Sequence, residues 1–468
     1  MKDRTVALIL PDCPGFFPEL FCKLAEEIKK EGFNVVFIST SPFYELFKKV
    51  DLSKVAKVYY LDEFLKRDIP KEKYEHFPIN NWSHYASFSR QSYFFGHPLN
   101  SHDALKKTKL FYQTIYDEHN IVLQISEGVS NSFIYLAHEQ GAKNNIPYFG
   151  LMGARIPYHF NVHVDVTGNE VLINQEAPSE YIPTNEVPDY MKNSQFGGLF
   201  DKEYSFFSFS FIKELMHFLF IKHSVSLETG NTKRYILKAY KISFRRIIAD
   251  FYYNKVLKLF APNVEFKKDK IYVVYPLHFY PEASTSIFAK YYDGNEFNLI
   301  KNIAFSLPEN AVLVVKEHKS NVGNNSKTFY RNIMQLPSTI LLTPYYNLKE
   351  NLPNFDAVVT LSSTVGFEAL TMDVPTYPLG EIFYQNYPGS IKINSYAELD
   401  EKLSKIEKKE LAAKKNQTFN LYSKMCFPGS FNYMDKTCTN EQNLKLLLIP
   451  IFDFLKSGTM KTHHNNSR

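Results

Sequence analysis

The feature that most constrains the fold is an alternation of short β-rich runs with helical patterns, which occurs in two separate stretches. In the first, TVALIL (5–10) precedes a helical pattern over 18–30, and NVVFIST (34–40) follows it. A proline near the helix start and Gly32 after its end are typical of helix boundaries. The same stretch continues with strands predicted at 57–61, 121–126 and 146–151 and helices near 105–118 and 131–144. This order predicts a parallel sheet covered by helices on both faces.

The alternation restarts at KIYVVYPL (270–277). Further strands are predicted at 311–318, 339–344, 357–362 and 375–380, with helices near 294–306 and 326–335 and from about 365. A chain of 468 residues has room for two such domains and additional helices. We therefore predict an α/β fold with two Rossmann-like domains facing each other across a cleft. The predicted division is an N-terminal domain at 1–177, a helical connector at 178–269, a second domain at 270–395, and C-terminal helices with a polar, disordered tail at 396–468.

Composition and motifs exclude several classes of protein. With 44% hydrophobic and 22% charged residues, the chain is typical of a soluble globular protein. No apolar run is long enough for a spanning helix, and the first run is too short for a signal peptide. Four cysteines without a CxxC pair predict neither a zinc site nor a disulfide framework, so we expect a cytoplasmic location. Motifs for dinucleotides, P-loop nucleotides and serine hydrolysis are lacking.

The predicted connector holds an excess of positive charge. Residues 201–270 contain 14 Lys and Arg against 7 Asp and Glu. An apolar and aromatic stretch at 206–224 is flanked by Lys222 and His223, which suits peripheral contact with anionic lipid on the inner face of a membrane. A helix packed between the two domains is the alternative. The stretch lacks the order of a nucleic-acid-binding module, so no nucleic-acid partner is predicted.

Polar residues follow the strand that ends at Leu361. Ser362, Ser363 and Thr364 occupy the turn, Gly366 opens the next helix, and Glu368 follows two residues later. Hydroxyl groups, free backbone N–H groups and a helix N-terminus suit a phosphate, a glycine lets backbone approach a ligand, and Glu368 is within reach of a ribose diol. Helix capping alone also favours these residue types. Both interpretations stay open at this point.

Two further polar turns belong to the same predicted sheet. Lys316 and His318 end a Val-rich strand, on the opposite side from Glu317. The turn after 270–277 brings four more polar side chains to that edge, namely His278, Glu282, Ser284 and Thr285. Open α/β sheets bind ligands at the carboxyl ends of their strands, so three polar turns there predict a pocket.

Acidic residues end two strands of the N-terminal domain. Asp12 follows the first strand, and Glu127 follows the strand at 121–126. Either carboxylate suits a general base, although an Asp in a Pro-Gly loop is commonly a turn former. Ser130 or Asn131 is the expected cap of the next helix, and Arg155 suits a carboxylate or phosphate.

The second domain resembles the capsule polysaccharide biosynthesis family, a group of GT-B glycosyltransferases that includes Kdo transferases. The matching motifs are PLHFYPEAST (276–285), VVKEH (314–318) and STVGFEAL (363–370), followed by the Val-Pro of DVPTYPLG. Weaker support comes from ISEGVSNS and GLMGARIP in the N-terminal half. Departures from the family pattern are Lys319, where His-Pro is common, and Asn131, where an arginine often follows the acidic-Gly pair.

The resemblance implies inverting sugar transfer from a nucleotide-sugar, with CMP-Kdo as donor, to a glycan or glycolipid acceptor, without a metal or a resident cofactor. On this analogy His318, Ser363, Thr364 and Glu368 hold the nucleotide, Glu127 is the base, and Arg155 and Asn131 contact the acceptor. Two alternatives stay open. One is an enzyme similar to nucleotide-sugar 2-epimerases, and the other is a non-catalytic scaffold of polysaccharide assembly.

Overall fold

The structure of the protein, a computed structural model, describes residues 3–11, 16–40, 50–80, 101–177, 257–279, 283–289, 296–318, 321, 325–405, 415–432 and 436–464. The chain divides into two compact units. The N-terminal unit comprises Met1–Ser92, His97–Ser179 and Tyr422–Arg468, and the central unit comprises Tyr93–Gly96 and Glu180–Leu421. Most of the predicted connector, including 206–224, lies outside the described residues. The domain boundaries drawn from sequence stay predictions.

The strands of both units are numbered in chain order. They are β1 (Arg4–Leu10), β2 (Asn34–Ser39), β3 (Lys57–Tyr60), β4 (Asn120–Glu127), β5 (Tyr148–Gly153), β6 (His159–His163), β7 (Glu170–Leu172), β8 (Ile271–Pro276), β9 (Ala311–Lys316), β10 (Thr339–Leu342), β11 (Ala357–Thr360), β12 (Thr376–Pro378), β13 (Phe427–Pro428) and β14 (Thr462–His464).

The α-helices are numbered in the same way. They are α1 (Phe17–Lys30), α2 (Leu61–Leu65), α3 (Ser101–Glu118), α4 (Ser132–Lys143), α5 (Ala283–Ser286), α6 (Glu296–Phe305), α7 (Lys327–Met334), α8 (Leu348–Asn351), α9 (Val365–Leu370), α10 (Glu398–Ser404), α11 (Lys415–Ser423) and α12 (Glu441–Ser457). Among the described residues, no helix is long and apolar enough to cross a membrane.

The N-terminal unit is built on one sheet with the strand order β14-β7-β6-β5-β4-β1-β2-β3, and β13 pairs with β6. Neighbouring strands from β3 through β5 pair in parallel. The segment Val6–Leu10 of β1 is fully buried, as expected for a strand with helices on both faces. Gly32 takes a φ of +86° just after α1, a conformation that favours glycine at helix ends. The predicted βαβ unit is confirmed.

Antiparallel strands extend this sheet beyond β5. β6 pairs with β5, β7 with β6, and β14 with β7. The C-terminal segment packs on the unit through Arg4, whose Nη2 donates to the Leu455 carbonyl at 2.8 Å, and through the rings of Phe149 and Phe454, 5.3 Å apart. The prediction of a disordered tail is wrong for Thr462–His464, because pairing with β7 satisfies their backbone groups.

The central unit contains a wholly parallel sheet with the order β10-β9-β8-β11-β12. Alternate residues face opposite cores: Val273 and Tyr275 pack on one face, while Tyr272 and Val274 pack on the other. The first strand, β8, lies between β9 and β11, so the direction of chain progression switches between β8 and β11. Ligands in open α/β sheets bind outside the carboxyl ends of strands at such a switch. The predicted α/β class with two Rossmann-like domains is confirmed.

Candidate functional site

Three of the predicted polar turns meet at the carboxyl edge of the central sheet. His278 follows β8, Lys316 ends β9, and Ser362 to Thr364 follow β11. These three strands are neighbours, and the N–H of Leu277 donates to the Lys316 carbonyl at 2.8 Å. Parallel strands bring their carboxyl ends to one edge, so the sheet places together residues that lie far apart in sequence.

His278 is buried, with only 4% of its side chain exposed. Its Nε2 accepts the backbone N–H of Ser362 at 3.3 Å. Its Nδ1 lies 3.5 Å from Oε1 of Glu296, and the same oxygen accepts the His278 backbone N–H at 2.9 Å. The ring therefore contacts the Ser-rich turn and faces Glu296, while its direct contact with the nucleotide stays a prediction. Sequence reasoning missed Glu296, whose only signal was an acidic residue at a helix start.

The Ser-rich turn, residues 362–364, satisfies most of its own donors. The backbone N–H groups of Ser362, Ser363, Val365 and Gly366 all have acceptors, which are His278 Nε2, Thr360 Oγ1, Ser363 Oγ and the Ser363 carbonyl. The expectation of free N–H groups is wrong at these four positions. Among 362–366, the N–H of Thr364 alone has no acceptor in the described part of the chain.

The helix that follows this turn is short. α9 has six residues, so it supplies little of the dipole predicted for anion binding. Thr364 already has helical backbone angles, and its side chain makes no capping hydrogen bond. Ser363 Oγ instead accepts the N–H of Val365 at 3.2 Å, a local turn bond. Hydroxyl groups are therefore the main donors that this turn offers to a ligand.

Gly366 is explained by packing behind the turn. A Cβ added there would lie 2.3 Å from the hydroxyl oxygen of Tyr384 and 2.8 Å from Cγ2 of Thr376. Only glycine allows this approach. Close approach of Tyr384, whose hydroxyl donates to the Ser363 carbonyl, is thus one reason for glycine here, and close approach of a ligand to the backbone stays a prediction.

Glu368 forms an ion pair that sequence reasoning did not predict. Its Oε1 lies 3.0 Å from Nζ of Lys349, a residue of α8. The other carboxylate oxygen, Oε2, is buried without a hydrogen-bond partner among the described residues. The side chain is 9% exposed and that of Lys349 31% exposed, so the pair is largely shielded from solvent. A carboxylate oxygen in this state has acceptor capacity left over.

Glu317 is the most perturbed carboxyl group at this edge. It is fully buried, and it accepts hydrogen bonds from the hydroxyl of Tyr330, the amide of Asn325 and the backbone N–H of His318. Burial raises its pKa to about 7, and the negative charge of Glu296 adds to the rise against the opposing effect of the donors. His318 itself is exposed. As predicted, the strand turns these two side chains in different directions.

The structure describes only some of the remaining residues predicted for the site in the central unit. Thr285 is buried, with 3% of its surface exposed. Glu282 and the side chain of Ser284 lie outside the described residues, as does Lys319. No group of three or more His, Cys, Asp or Glu in the described ranges is arranged to hold a metal ion.

Glu127 lies at the end of β4, at the carboxyl edge of the sheet in the N-terminal unit. Its Oε1 accepts the hydroxyl of Ser130 at 3.1 Å, and its carbonyl accepts the hydroxyl of Tyr148 at 3.0 Å. Asp12, the other predicted base, lies outside the described residues. The side chain of Glu127 is therefore held by a nearby residue of the same turn, and its backbone by Tyr148 of the neighbouring strand.

Asn131 is the N-cap of α4. Its Oδ1 accepts the N–H of Ile134 at 3.1 Å, and its Nδ2 contacts Ser130 Oγ at 3.4 Å. The predicted cap is confirmed at Asn131. This explains asparagine at the position where the family often has arginine, and it gives the side chain a structural task besides the predicted acceptor contact.

Arg155 lies in the turn between β5 and β6. Its backbone N–H donates to the hydroxyl of Tyr422 at 2.7 Å. Two large side chains near it are exposed, Met152 at 38% and Tyr158 at 78%. Tyr158 has a φ of +53°, and its carbonyl accepts the N–H of Gly429 at 2.7 Å. The C-terminal segment therefore holds this turn at two points.

A family model described as "Capsule polysaccharide biosynthesis protein" matches residues 211–420. This region contains all three polar turns of the central unit. No curated protein sequence is significantly similar to the chain.

Solved structures resemble the chain at low identity. A KpsC β-Kdo 2,7 transferase of Thermosulfurimonas dismutans is 12% identical, covers 74% of this chain and 89% of its own, and gives a TM-score of 0.33. The KpsC β-Kdo 2,4 transferase of the same organism is 14% identical, with coverages of 67% and 85% and a TM-score of 0.32. A putative UDP-N-acetylglucosamine 2-epimerase of Listeria monocytogenes is 11% identical, with coverages of 98% and 98% and a TM-score of 0.29.

Because these TM-scores are low, the solved structures carry no conclusion about activity. The family match is independent of them. Over residues 211–420 it confirms the resemblance to the capsule polysaccharide biosynthesis family that the motifs predicted.

Proposed function

We propose that the protein is a glycosyltransferase of capsular or other surface polysaccharide biosynthesis. It transfers a sugar from a nucleotide-sugar donor to a glycan or glycolipid acceptor. The observation that carries this proposal is that the family match over 211–420 contains the polar edge formed by β8, β9 and β11. The sheet switches direction there, which is where open α/β sheets bind ligands.

In the proposed donor site, the hydroxyls of Ser363 and Thr364 and the N–H of Thr364 hydrogen-bond the phosphate of the donor. Lys316 and His318 supply positive charge as the nucleotide departs, so no metal is required. The carboxylate of Glu368 accepts a hydroxyl of the nucleotide in this proposal, as the resemblance to the family motif implies. Positioning and electrostatics of this kind are sufficient for group transfer.

The reaction proposed is an inverting displacement at the anomeric carbon. The acceptor hydroxyl oxygen forms a bond to that carbon while the bond to the donor phosphate oxygen breaks, and the nucleotide leaves with the electron pair. Glu127 takes the proton of the acceptor hydroxyl, and Arg155 binds an anionic group of the acceptor. CMP-Kdo is the proposed donor, because the sequence motifs resemble those of Kdo transferases. Lipid contact by 206–224 stays a prediction, since that stretch lies outside the described residues.

The proposal is tested by incubating the protein with CMP-, UDP- and GDP-sugars and a glycan acceptor and by measuring nucleotide release, with and without Mg²⁺. We expect acceptor-dependent release of CMP without metal. Glu127→Gln should bind the donor normally but lose about 10²- to 10⁴-fold in turnover, the usual contribution of a general base. Full turnover in this variant would remove the base role from Glu127. If an epimerised nucleotide-sugar formed without acceptor, the protein would be an epimerase and the proposed transfer would be wrong.

A non-catalytic scaffold is the second candidate. It is favoured by the hydrogen bonds at and just after the Ser-rich turn, because four of the five backbone N–H groups over 362–366 already have acceptors. A scaffold would leave the nucleotide-sugar intact after long incubation with acceptor. If the protein binds the nucleotide-sugar measurably but leaves it intact, the scaffold is supported and the transferase is not.

A further inference from the structure

Glu296, His278 and Ser362 form a continuous line of contacts beneath the proposed donor site. We propose that Glu296 and His278 are positioning residues, which fix the Ser-rich turn in the orientation that binds the donor phosphate. This inference rests on the proposed function for its ligand, but the contacts themselves do not depend on it. Neither residue touches the donor in this proposal, and both act through the backbone of Ser362.

The carboxylate of Glu296 is held at the start of α6. Its Oε1 accepts the backbone N–H of His278 at 2.9 Å and lies 3.4 Å from the hydroxyl of Tyr275. The side chain is 20% exposed. An acidic group in the first turn of a helix is stabilised by the helix dipole. Through the hydrogen bond to the backbone of His278, Glu296 thus links the start of α6 to the segment that follows β8.

The hydrogen bonds define which ring nitrogen of His278 carries the proton. The N–H of Ser362 donates to Nε2 at 3.3 Å, so Nε2 must offer a lone pair. A neutral ring then carries its proton on Nδ1, which faces Oε1 of Glu296 at 3.5 Å and has no nearer acceptor among the described residues. A carboxylate in this place favours that tautomer, because the partner of one nitrogen sets the state of the other.

The contacts from Glu296 through His278 to Ser362, called the relay below, fix the Ser-rich turn from one side. A second contact fixes the turn from the other side. The hydroxyl of Tyr384 donates to the Ser363 carbonyl, which also accepts the N–H of Gly366 at 3.1 Å. With Ser362 held by His278 and Ser363 held by Tyr384, the N–H and hydroxyl of Thr364 stay available to a ligand. Without Glu296, the ring is free to carry its proton on Nε2. It would then oppose the N–H of Ser362, and the turn would shift.

The first test reads the tautomer directly, by two-dimensional NMR of the histidine ring nitrogens in the full chain without nucleotide. The His278→Gln variant assigns the signals of His278. We expect one lone-pair nitrogen at Nε2 and one protonated nitrogen at Nδ1, and we expect this pattern to change in Glu296→Ala. A protonated Nε2 in the unaltered protein would overturn the relay.

The second test measures CMP binding by calorimetry in three proteins. Glu296→Ala should weaken binding by about tenfold, the effect of losing roughly one buried hydrogen bond, because the turn would shift. Glu296→Gln keeps an acceptor for His278 and should stay within about threefold of the unaltered protein. Thermal unfolding of both variants controls for loss of fold. Rescue by glutamine at equal thermal stability separates positioning from a merely structural role.

The outcomes separate the inference from the proposed function. Unchanged CMP affinity in Glu296→Ala overturns the positioning role and leaves the proposed function standing. Absence of CMP binding by the unaltered protein overturns the proposed function and the positioning role together, while the ring-nitrogen signals still decide whether the relay exists. The inference is supported if CMP binds more weakly to Glu296→Ala, binds nearly normally to Glu296→Gln, and His278 has the expected tautomer.

Discussion

At the scale of single residues, the edge of the central sheet is defined by carboxyl groups in three different environments. Glu296 is held at a helix start and faces a histidine, Glu317 is fully buried among donors, and Glu368 is paired with a lysine. Each carboxyl group is kept in place by partners from another element. Substitution should therefore affect the three differently.

Glu317 makes stability depend on pH. Its pKa is raised from its ordinary value of 4.5 to about 7 by burial, so the folded state binds a proton more tightly than the unfolded chain. The stabilisation from this proton is complete below about pH 4.5 and is lost as the pH rises through 7. Glu317→Gln imitates the protonated form. It should flatten the decline between pH 5 and 8 and stabilise the protein at pH 8 by up to about 3 kcal/mol.

Urea unfolding of the unaltered protein and of Glu317→Gln across this pH range checks the prediction. Glu309→Gln is the matched control, because Glu309 is exposed in the same unit. The control should keep the slope of the unaltered protein. Equal slopes in all three proteins would show that Glu317 does not titrate in this range.

Lys349 compensates the charge of Glu368. Lys349→Met leaves that carboxylate shielded from solvent without its cation, so we expect a loss of roughly 1–2 kcal/mol in unfolding free energy, less than for a fully buried pair. Lys349→Arg should retain most of the stability. Lys405→Met is the control, because Lys405 and Glu401 form a pair that is 71% and 69% exposed and should matter little. A similar loss in both methionine variants would contradict the assigned role.

At the scale of elements, the unit from β11 through the Ser-rich turn to α9 depends on what packs behind it. Tyr384 contacts Gly366 and donates to the Ser363 carbonyl, so one side chain supports both the turn and the helix start. The turn's own hydrogen bonds add to this support. The whole element is therefore held in a preformed conformation, in which the oxygens of Thr360 and Ser363 accept internal hydrogen bonds and the hydroxyl of Thr364 makes none with the described residues.

Gly366→Ala tests that packing. The added Cβ would lie 2.3 Å from the Tyr384 hydroxyl oxygen, and overpacking of this kind costs about 1–3 kcal/mol. Tyr384→Phe removes the nearest atom, so the double variant should recover part of the loss that the two single changes would add up to. Thermal or urea unfolding of the four proteins gives the coupling. Strict additivity, or no loss in Gly366→Ala, would mean that the contact does not restrict this position.

Much of the architecture was predictable from local sequence signals. The buried runs 5–10 and 270–277 are strands, and Gly32 marks a helix end, because burial periodicity and backbone preference act over a few residues. The short strands β6, β7, β13 and β14 carry no such signal. Their pairing joins segments about 270 to 290 residues apart, as Phe427 with Phe160 and Thr462 with Leu172 show.

The candidate site was predictable in its location but only partly in its contacts. Strand ends drew attention to His278 and the Ser-rich turn, since ligand sites of α/β sheets lie there. The partners Glu296 and Lys349 could not be identified, because each lies about 18 to 19 residues from the group it contacts. Likewise, position 366 requires glycine because a Cβ there would be too close to Tyr384, and no local sequence pattern shows that Tyr384 packs there.

At the scale of the whole molecule, the two units carry different parts of the proposed chemistry. The central unit holds the candidate donor site, and the N-terminal unit holds Glu127 and Arg155. The C-terminal segment from Tyr422 joins the N-terminal unit and supplies α12, β13 and β14 to it. Donor binding and proton removal should therefore respond to substitutions in separate units.

The candidate donor site is best tested by calorimetric titration of CMP into the full chain without metal, with Thr364→Val as the variant. That hydroxyl has no partner among the described residues, so its removal should spare the fold while weakening CMP binding by about fivefold or more. Thr339→Val, at the opposite edge of the same sheet, should leave the affinity unchanged. Absence of nucleotide binding, or equal affinity in both variants, would contradict the proposed donor site.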